Sequence, residues 1–291
     1  MKKMLGRDVK KYLRLDKLPH IWCAGCGNGI VLRGVLEAID TLELDKNKVV
    51  VVSGIGCSGR SAGYVDFNTL HTAHGRAIPF ATGIKLARPE LIVLVLTGDG
   101  DCAAIGGNHF IHAARRNIDI TVIIFNNSIY GMTSGQYSPL TPHSAKATTA
   151  PYGNMEQSFD LCKLSINAGA TYVARATTFH AMMIPELVVN AILNPGFSVV
   201  EVITACPTYY GRLNKMADPI TMLEHQKNFA VSKKQALTSL PVELKGRFQI
   251  GEISHSEAPE YSREYQKLVN LVHRHKLLKE GNKNTRSFKS V

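Results

Sequence analysis

The 291-residue sequence predicts an α/β fold, a mainly parallel sheet flanked by helices. Three observations carry that expectation. Residues 91–97 and 120–125 are short apolar runs on either side of a segment where His109, Phe110, Ala113 and Ala114 recur at helical spacing. The order strand, glycine-rich turn, helix, strand, polar turn is a βαβ unit, whose strands run parallel. Residues 48–53, a lysine followed by four valines and a serine, form the continuous apolar run of a parallel strand buried on both faces.

The remaining elements follow in chain order. Residues 1–20 are a polar lead-in. Cys23 and Cys26 form a Cys-x-x-Cys turn entering a helix over 30–39, with Val31, Val35, Ala38 and Ile39 on one face. The strand over 48–53 ends in a turn from Gly54 to Arg60. A loop carrying His71, His74, Gly75 and Arg76 leads into a helix over 78–86. Beyond the central unit, residues 135–142 are a polar, proline-containing loop too long for a tight turn, suited to covering a site or meeting a partner. A helix is expected over 156–168, a strand over 170–174, a helix over 179–193 kinked at Pro185, and a last strand over 197–203. From Asp218 onward the pattern changes: helices over 219–231 and 265–278, with loop-like residues including Pro241, Gly246 and Gly251 between them. The expected organisation is a ligand-binding domain over 1–215 and a C-terminal extension over 216–291, packed on that domain or on a partner subunit.

Composition narrows the classes. Hydrophobic content of 45% and charged content of 20% are those of a soluble globular protein. No apolar run approaches the roughly 20 residues of a membrane helix. The basic start is followed by interspersed charges, not by a signal-peptide core, so a cytoplasmic protein is expected. The formal charge of +11 invites a nucleic-acid reading, yet no zinc-finger spacing, aromatic RNA-binding motif or basic heptad helix accompanies it. Attraction to an acidic protein or a phosphorylated cofactor accounts for the charge equally well; neither nucleic acid nor membrane is expected as a partner.

The chemistry concentrates where strands end. Open α/β sheets bind ligands at the carboxyl ends of their strands. There Asp99, in Gly98-Asp99-Gly100-Asp101, and Asn127, after the next strand, face one another as hard oxygen ligands of the kind Mg²⁺ accepts. Alone, Gly-Asp-Gly is an ordinary turn, and Asn-Asn is ordinary loop chemistry. Six cysteines occur, at 23, 26, 57, 102, 162 and 206. Cys102 and Cys162 fall within expected helices, as buried free thiols. Cys23, Cys26, Cys57 and Cys206 fall in loops, and four thiolates fit either a zinc tetrahedron or a [4Fe–4S] cluster. Compact zinc modules use two close pairs, so one pair plus two remote cysteines favours the cluster.

The spacing of Gly100 and Asn127, with the 26 residues 101–126 between them, resembles the thiamine diphosphate signature. Together with the four loop cysteines, and with Gly54 to Arg60, His74 to Ala77, Tyr130 to Thr133, Gly135-Gln136 and Ser138-Pro139, it makes the chain similar to the β subunits of 2-oxoacid:ferredoxin oxidoreductases. Residues 104–112 are worded most like the branch acting on 2-oxoglutarate. The resemblance implies a thiamine diphosphate-binding domain. It implies Mg²⁺ held by Asp99, Asn127 and the carbonyl of Ile129, and a [4Fe–4S] cluster on Cys23, Cys26, Cys57 and Cys206. Cofactor contacts are implied for Ile55, Gly56, Cys57 and Ser58 in the first turn and for His74. Gly98, Gly100 and Asp101 in the second turn, and Met132 and Thr133 in the third, are implied likewise. Arg60 is the candidate for the substrate carboxylate. The glutamate that activates the aminopyrimidine is implied to lie on an α subunit, so no catalytic residue is assigned in this chain. Coenzyme A and ferredoxin are the implied co-substrate and electron acceptor. Ser134 and Leu140 depart from the family wording in the loop facing the substrate.

Three alternatives remain at this level. A pyruvate or broad-range 2-oxoacid enzyme is separated by comparing rates on both acids, equal rates removing the 2-oxoglutarate assignment. A non-redox thiamine decarboxylase would bind thiamine but no iron. A zinc-stapled nucleic-acid binder would show steeply salt-dependent binding.

Overall fold

The computed structural model describes residues 8–240 and 242–287. The basic start, Pro241 and the last residues of the basic tail lie outside them. In chain order the described elements are α1 (Asn28–Thr41), β1 (Val49–Ser53), α2 (Ser61–Tyr64), β2 (Asn68–His71), α3 (Ala77–Ala87) and β3 (Ile92–Gly98). The central unit closes with α4 (Gly107–Arg115) and β4 (Thr121–Asn126). Then come α5 (Leu161–Ala168), β5 (Tyr172–Thr177), α6 (Ile184–Leu193) and β6 (Ser198–Ile203). The chain ends with α7 (Pro219–Phe229), β7 (Ala230–Ser232), α8 (Lys233–Thr238), β8 (Phe248–His255) and α9 (Tyr261–Ser287).

One sheet runs β2-β1-β3-β4-β6-β5-β8-β7, and β1 to β6 are mutually parallel. Alternate valines of β1 explain its two-sided burial. Val49 and Val51 join α1 and α6 on one face, while Val50 and Val52 join α3, α4 and α5 on the other. Between β1 and β3 the strand order reverses direction, because β2 lies to one side of β1 and β3 to the other. That reversal opens a crevice at the carboxyl ends, where chain crossovers leave on opposite faces. Among the described residues no helix is long and apolar enough to cross a membrane.

Several expectations need correction. His71, expected in a loop, ends β2, a strand exposed at both ends and half-buried between, with no apolar alternation to announce it. Pro185 opens α6 instead of kinking it, since the first turn of a helix needs no proline N–H. Residues 156–160 are not helical; Asp160 caps α5, its side chain accepting from the Lys163 N–H. The helix expected to reach Val231 ends at Phe229, and Val231 lies in β7. The stretch read as loop around Gly251 is β8, antiparallel to β5, with a register shift and Gly251 at φ +96°. Tertiary pairing, not local propensity, makes this strand.

Candidate active site

The crevice is a cleft of about 440 Å³ at the strand ends. It is lined by Ile55, Gly56, Cys57 and Ser58 after β1, by His74, by Gly98 to Asp101 after β3, and by Asn127, Ile129, Met132 and Thr133 after β4. Each comes to the cleft for the same reason: parallel strands deliver their following turns to one edge. Arg60 is the exception. It is exposed on the turn Ser58–Arg60 and is not among the lining residues, because that turn directs the chain away into α2.

Close approach explains the glycines. A Cβ on Gly100 would sit 2.3 Å from the Tyr130 ring, whose hydroxyl donates to the Gly100 carbonyl at 3.1 Å. A Cβ on Gly98 would lie 3.1 Å from the Ser58 Oγ, so the first two turns nearly touch. Gly56, at φ +110°, has open space where a side chain would stand, which leaves its backbone bare to a ligand.

Asp99 is 2% exposed and meets Ser138 Oγ, which donates to Oδ2 at 2.5 Å, together with the backbone amides of Gly100 and Asn127. Burial nevertheless pushes its carboxyl up to about 7. A carboxylate this deep with no cation beside it is short of positive charge, and a divalent ion would supply it. The Asn127 side chain bends the loop into place: its Oδ1 accepts from the Ile129 N–H at 3.1 Å, with Ser128 between them at φ +58°. A carboxylate from the turn after β3, with an amide oxygen and a backbone carbonyl from the loop after β4, is a donor set that fits Mg²⁺.

Asp101 lines the cleft and also braces it. Its carboxylate is occupied by protein donors: Gly75 N–H at 2.7 Å, His74 Nδ1 at 2.6 Å, Ile55 N–H at 3.3 Å and Thr97 Oγ1 at 2.7 Å. It therefore ties the turn after β1 and the His74 loop to the end of β3. A carboxylate oxygen can only accept here, so His74 donates to Asp101 from Nδ1.

A second cavity, of about 230 Å³, adjoins the first and is lined by Cys23, Cys26, Cys57 and Cys206. Four loops meet there. Trp22 Nε1 donates to the Cys57 carbonyl at 2.7 Å, and Gly27 N–H donates to the Ala205 carbonyl at 3.2 Å, joining the Cys-x-x-Cys turn to the other two cysteine loops. Gly131 fills the remaining side, where a Cβ would lie 3.6 Å from Cys206 Sγ and 3.9 Å from Cys57 Sγ. Burial pushes the Cys26 thiol up to about 12 and Cys57 to about 11, and it raises Cys206 as well. Backbone amides oppose this by pointing at sulfur, from Asn28 towards Cys26 and from Tyr209 and Tyr210 towards Cys206. Amides aimed at sulfurs stabilise metal-bound thiolates. Among the described residues no three His, Cys, Asp or Glu side chains converge as the shell of a single ion. A zinc tetrahedron needs sulfurs within roughly 4 Å of one another, whereas these cysteines border an open space, a better fit to a polynuclear cluster. Cys102 and Cys162 are buried away from both cavities.

One supporting group escaped the sequence reading. Glu201, 2% exposed at the middle of β6, accepts from Asn126 Nδ2 at 2.7 Å and from Arg175 Nε at 2.6 Å. Arg175 reaches on to Asp160 at 2.6 Å, and Asn126 Oδ1 accepts from Ser128 N–H at 3.1 Å. The loop bearing Asn127 thus rests on a buried ion pair. A lone glutamate within an apolar strand was the visible signal.

Comparison with known proteins agrees with this geometry. Residues 54–202 match the family of thiamine pyrophosphate enzymes, C-terminal TPP binding domain. The chain is 53% identical over 259 residues to 2-oxoglutarate synthase subunit KorB of Methanocaldococcus jannaschii, covering 89% of this chain and 96% of that one. It is 44% identical over 190 residues to the 2-oxoacid:ferredoxin oxidoreductase subunit beta of Saccharolobus solfataricus, covering 65% and 62%. Its fold superposes with a TM-score of 0.82 and 33% identity on 2-oxoglutarate:ferredoxin oxidoreductase from Magnetococcus marinus, solved with 2-oxoglutarate, coenzyme A and succinyl-CoA bound, covering 94% of this chain and 93% of that one. The chain belongs to the β subunits of the thiamine-dependent 2-oxoacid:ferredoxin oxidoreductases, on the 2-oxoglutarate synthase branch.

Proposed function

We propose that this subunit, together with an α subunit, forms an enzyme for the coenzyme A-dependent oxidative decarboxylation of 2-oxoglutarate to succinyl-CoA, passing electrons to ferredoxin. The observation that carries the reading is the wall shared by the two cavities: Cys57, Asn127, Gly131 and Met132 line both. When bound, thiamine diphosphate supplies a carbanion and electron sink for the 2-oxoacid, and a [4Fe–4S] cluster takes electrons singly. Asp99, Asn127 and the Ile129 carbonyl would hold Mg²⁺, and the four cysteines would hold the cluster. The turns after β1 and β3 would hold the diphosphate against backbone amides. Cys57 and its neighbours, which line both cavities, would stand between the two groups.

Within the cleft the only lining carboxylates among the described residues are Asp99 and Asp101, and both are engaged. The glutamate for the aminopyrimidine therefore belongs to an α subunit, and catalysis needs that subunit. Residues 216–291 are read as an extension serving the same assembly; exposed Leu237 and Leu240 on and after α8 suit a partner surface. Arg60, outside the cleft of the isolated chain, keeps its role as substrate contact only if a partner closes over it. The setting is cytoplasmic, where ferredoxin and coenzyme A are exchanged.

The test is the complex with its α subunit, purified without oxygen. About four iron and four sulfide per chain are expected, with ferredoxin reduction faster on 2-oxoglutarate than on pyruvate. Stoichiometric zinc without sulfide overturns the redox reading, and equal rates on both acids remove the substrate assignment.

A further inference from the structure

Cys26 stands between Gly25 and Gly27, and both glycines are compelled by what presses on them. Gly25 has φ +74°, and a Cβ there would run into the ring of Pro219, with Cγ of Pro207 at 3.3 Å. A Cβ on Gly27 would lie 2.7 Å from the Thr178 methyl and 3.1 Å from the Ala205 nitrogen. Ala205 and Pro207 flank Cys206, so the loops of two cysteines meet there.

The other two contacts lead to α7. Pro219 is its first residue, placed by Asp218, whose side chain caps the helix by accepting from the Thr221 N–H at 3.0 Å. Thr178 is gripped by Gln226 of the same helix. Gln226 Oε1 accepts from Thr178 Oγ1 at 3.0 Å and from the Phe179 N–H at 2.9 Å. Gln226 is 3% exposed, and Met222 is the other buried residue of α7. A glutamine this deep is placed by its bonds and not by hydrophobicity.

We infer that α7 is a clamp on the Cys-x-x-Cys turn, with Pro219 and Gln226 as positioning residues for Cys26 in cluster binding. Neither lines either cavity, so both act through the turn and not on a ligand. Pro219 bears on the residue before Cys26; Thr178, held by Gln226, bears on the residue after it. The turn is thereby set against the Cys206 loop by contacts of the protein itself. The first helix beyond residue 215 thus belongs to the cysteine site. Groups behind a metal ligand that fix its orientation carry much of the affinity for the metal.

The inference rests on the cysteine cavity holding a cluster, so iron and sulfide in the wild-type complex with its α subunit are measured first. Without them the functional reading falls, and this one falls with it. Given a cluster, Pro219→Ala and Gln226→Leu are each expected to speed iron release to a chelator about tenfold. The electron paramagnetic resonance spectrum of the reduced cluster is expected to broaden, because Cys26 is no longer held in one position. Gln226→Glu still accepts both bonds and is expected to return iron release to the wild-type rate. Mg²⁺-thiamine diphosphate affinity stays at the wild-type value in all three variants, a separation that general loosening of the fold would not produce. Wild-type iron release in both Pro219→Ala and Gln226→Leu overturns the inference. So does faster release matched by an equal loss of thiamine diphosphate affinity, and so does an unchanged spectrum in both variants. A Gln226→Glu variant that loses iron as fast as Gln226→Leu overturns the role given to Gln226.

Discussion

The two cavities share a wall but are held in different ways. The cofactor cleft is built by bonds complete within the protein. Asp101 joins three segments through four donors, Tyr130 closes on Gly100, and Glu201 props the Asn127 loop from beneath. The cysteine cavity is framed by backbone contacts, but its four sulfurs do not bond one another, and burial drives three of them towards the neutral thiol. The cleft is braced by the protein's own bonds, whereas the cysteine cavity leaves its four thiols for the proposed cluster to complete. Pre-organisation suits a cofactor that must be aligned for chemistry; a metal cluster brings its own geometry and binding energy.

That contrast can be broken at the shared residue. Cys57→Ser is expected to abolish cluster iron and ferredoxin reduction, the largest effect, while Mg²⁺-dependent thiamine diphosphate binding survives within about tenfold, because the cleft does not depend on the cluster. Iron analysis and calorimetry on one preparation decide it; equal collapse of both would show that the cavities form one cooperative unit. Asp101→Asn makes the converse test. An amide cannot accept from all four donors, so cofactor affinity is expected to fall about tenfold or more, with a lower melting temperature and intact iron. Iron lost in parallel would erase the distinction.

The smallest effect concerns protons. Burial lifts Asp99 to about 7, above its unfolded value, so in the metal-free fold a proton is favoured at the carboxylate proposed to hold Mg²⁺. For this carboxylate the sign is unfavourable to charge: the metal-free fold loses stability as pH rises from the unfolded pKa through about 7. Mg²⁺ reverses that preference, and its affinity is expected to rise about tenfold from pH 6 to pH 8 and then level off. Thermal shift at several Mg²⁺ concentrations measures this. A flat profile would mean that Asp99 is already ionised and that the cleft is wetter than its burial implies.

The sequence alone determined the parallel core, because continuous valine-rich runs and glycine-punctuated turns are local patterns with few three-dimensional solutions. It determined the turns bearing Asp99, Asn127, Cys57 and Cys206 for the same reason: each follows a recognisable strand, and parallel strands send such turns to one edge. Tertiary structure alone decided β8, which exists by pairing with β5, and the fate of Asp101, whose four donors come from residues 55, 74, 75 and 97. Only the fold could show that Arg60 is exposed and does not line the cleft and that Glu201, Arg175 and Asn126 meet beside Asn127. It alone showed that Gln226 is buried against Thr178. Burial and hydrogen-bond saturation are properties of neighbours distant in sequence, and no local pattern encodes them.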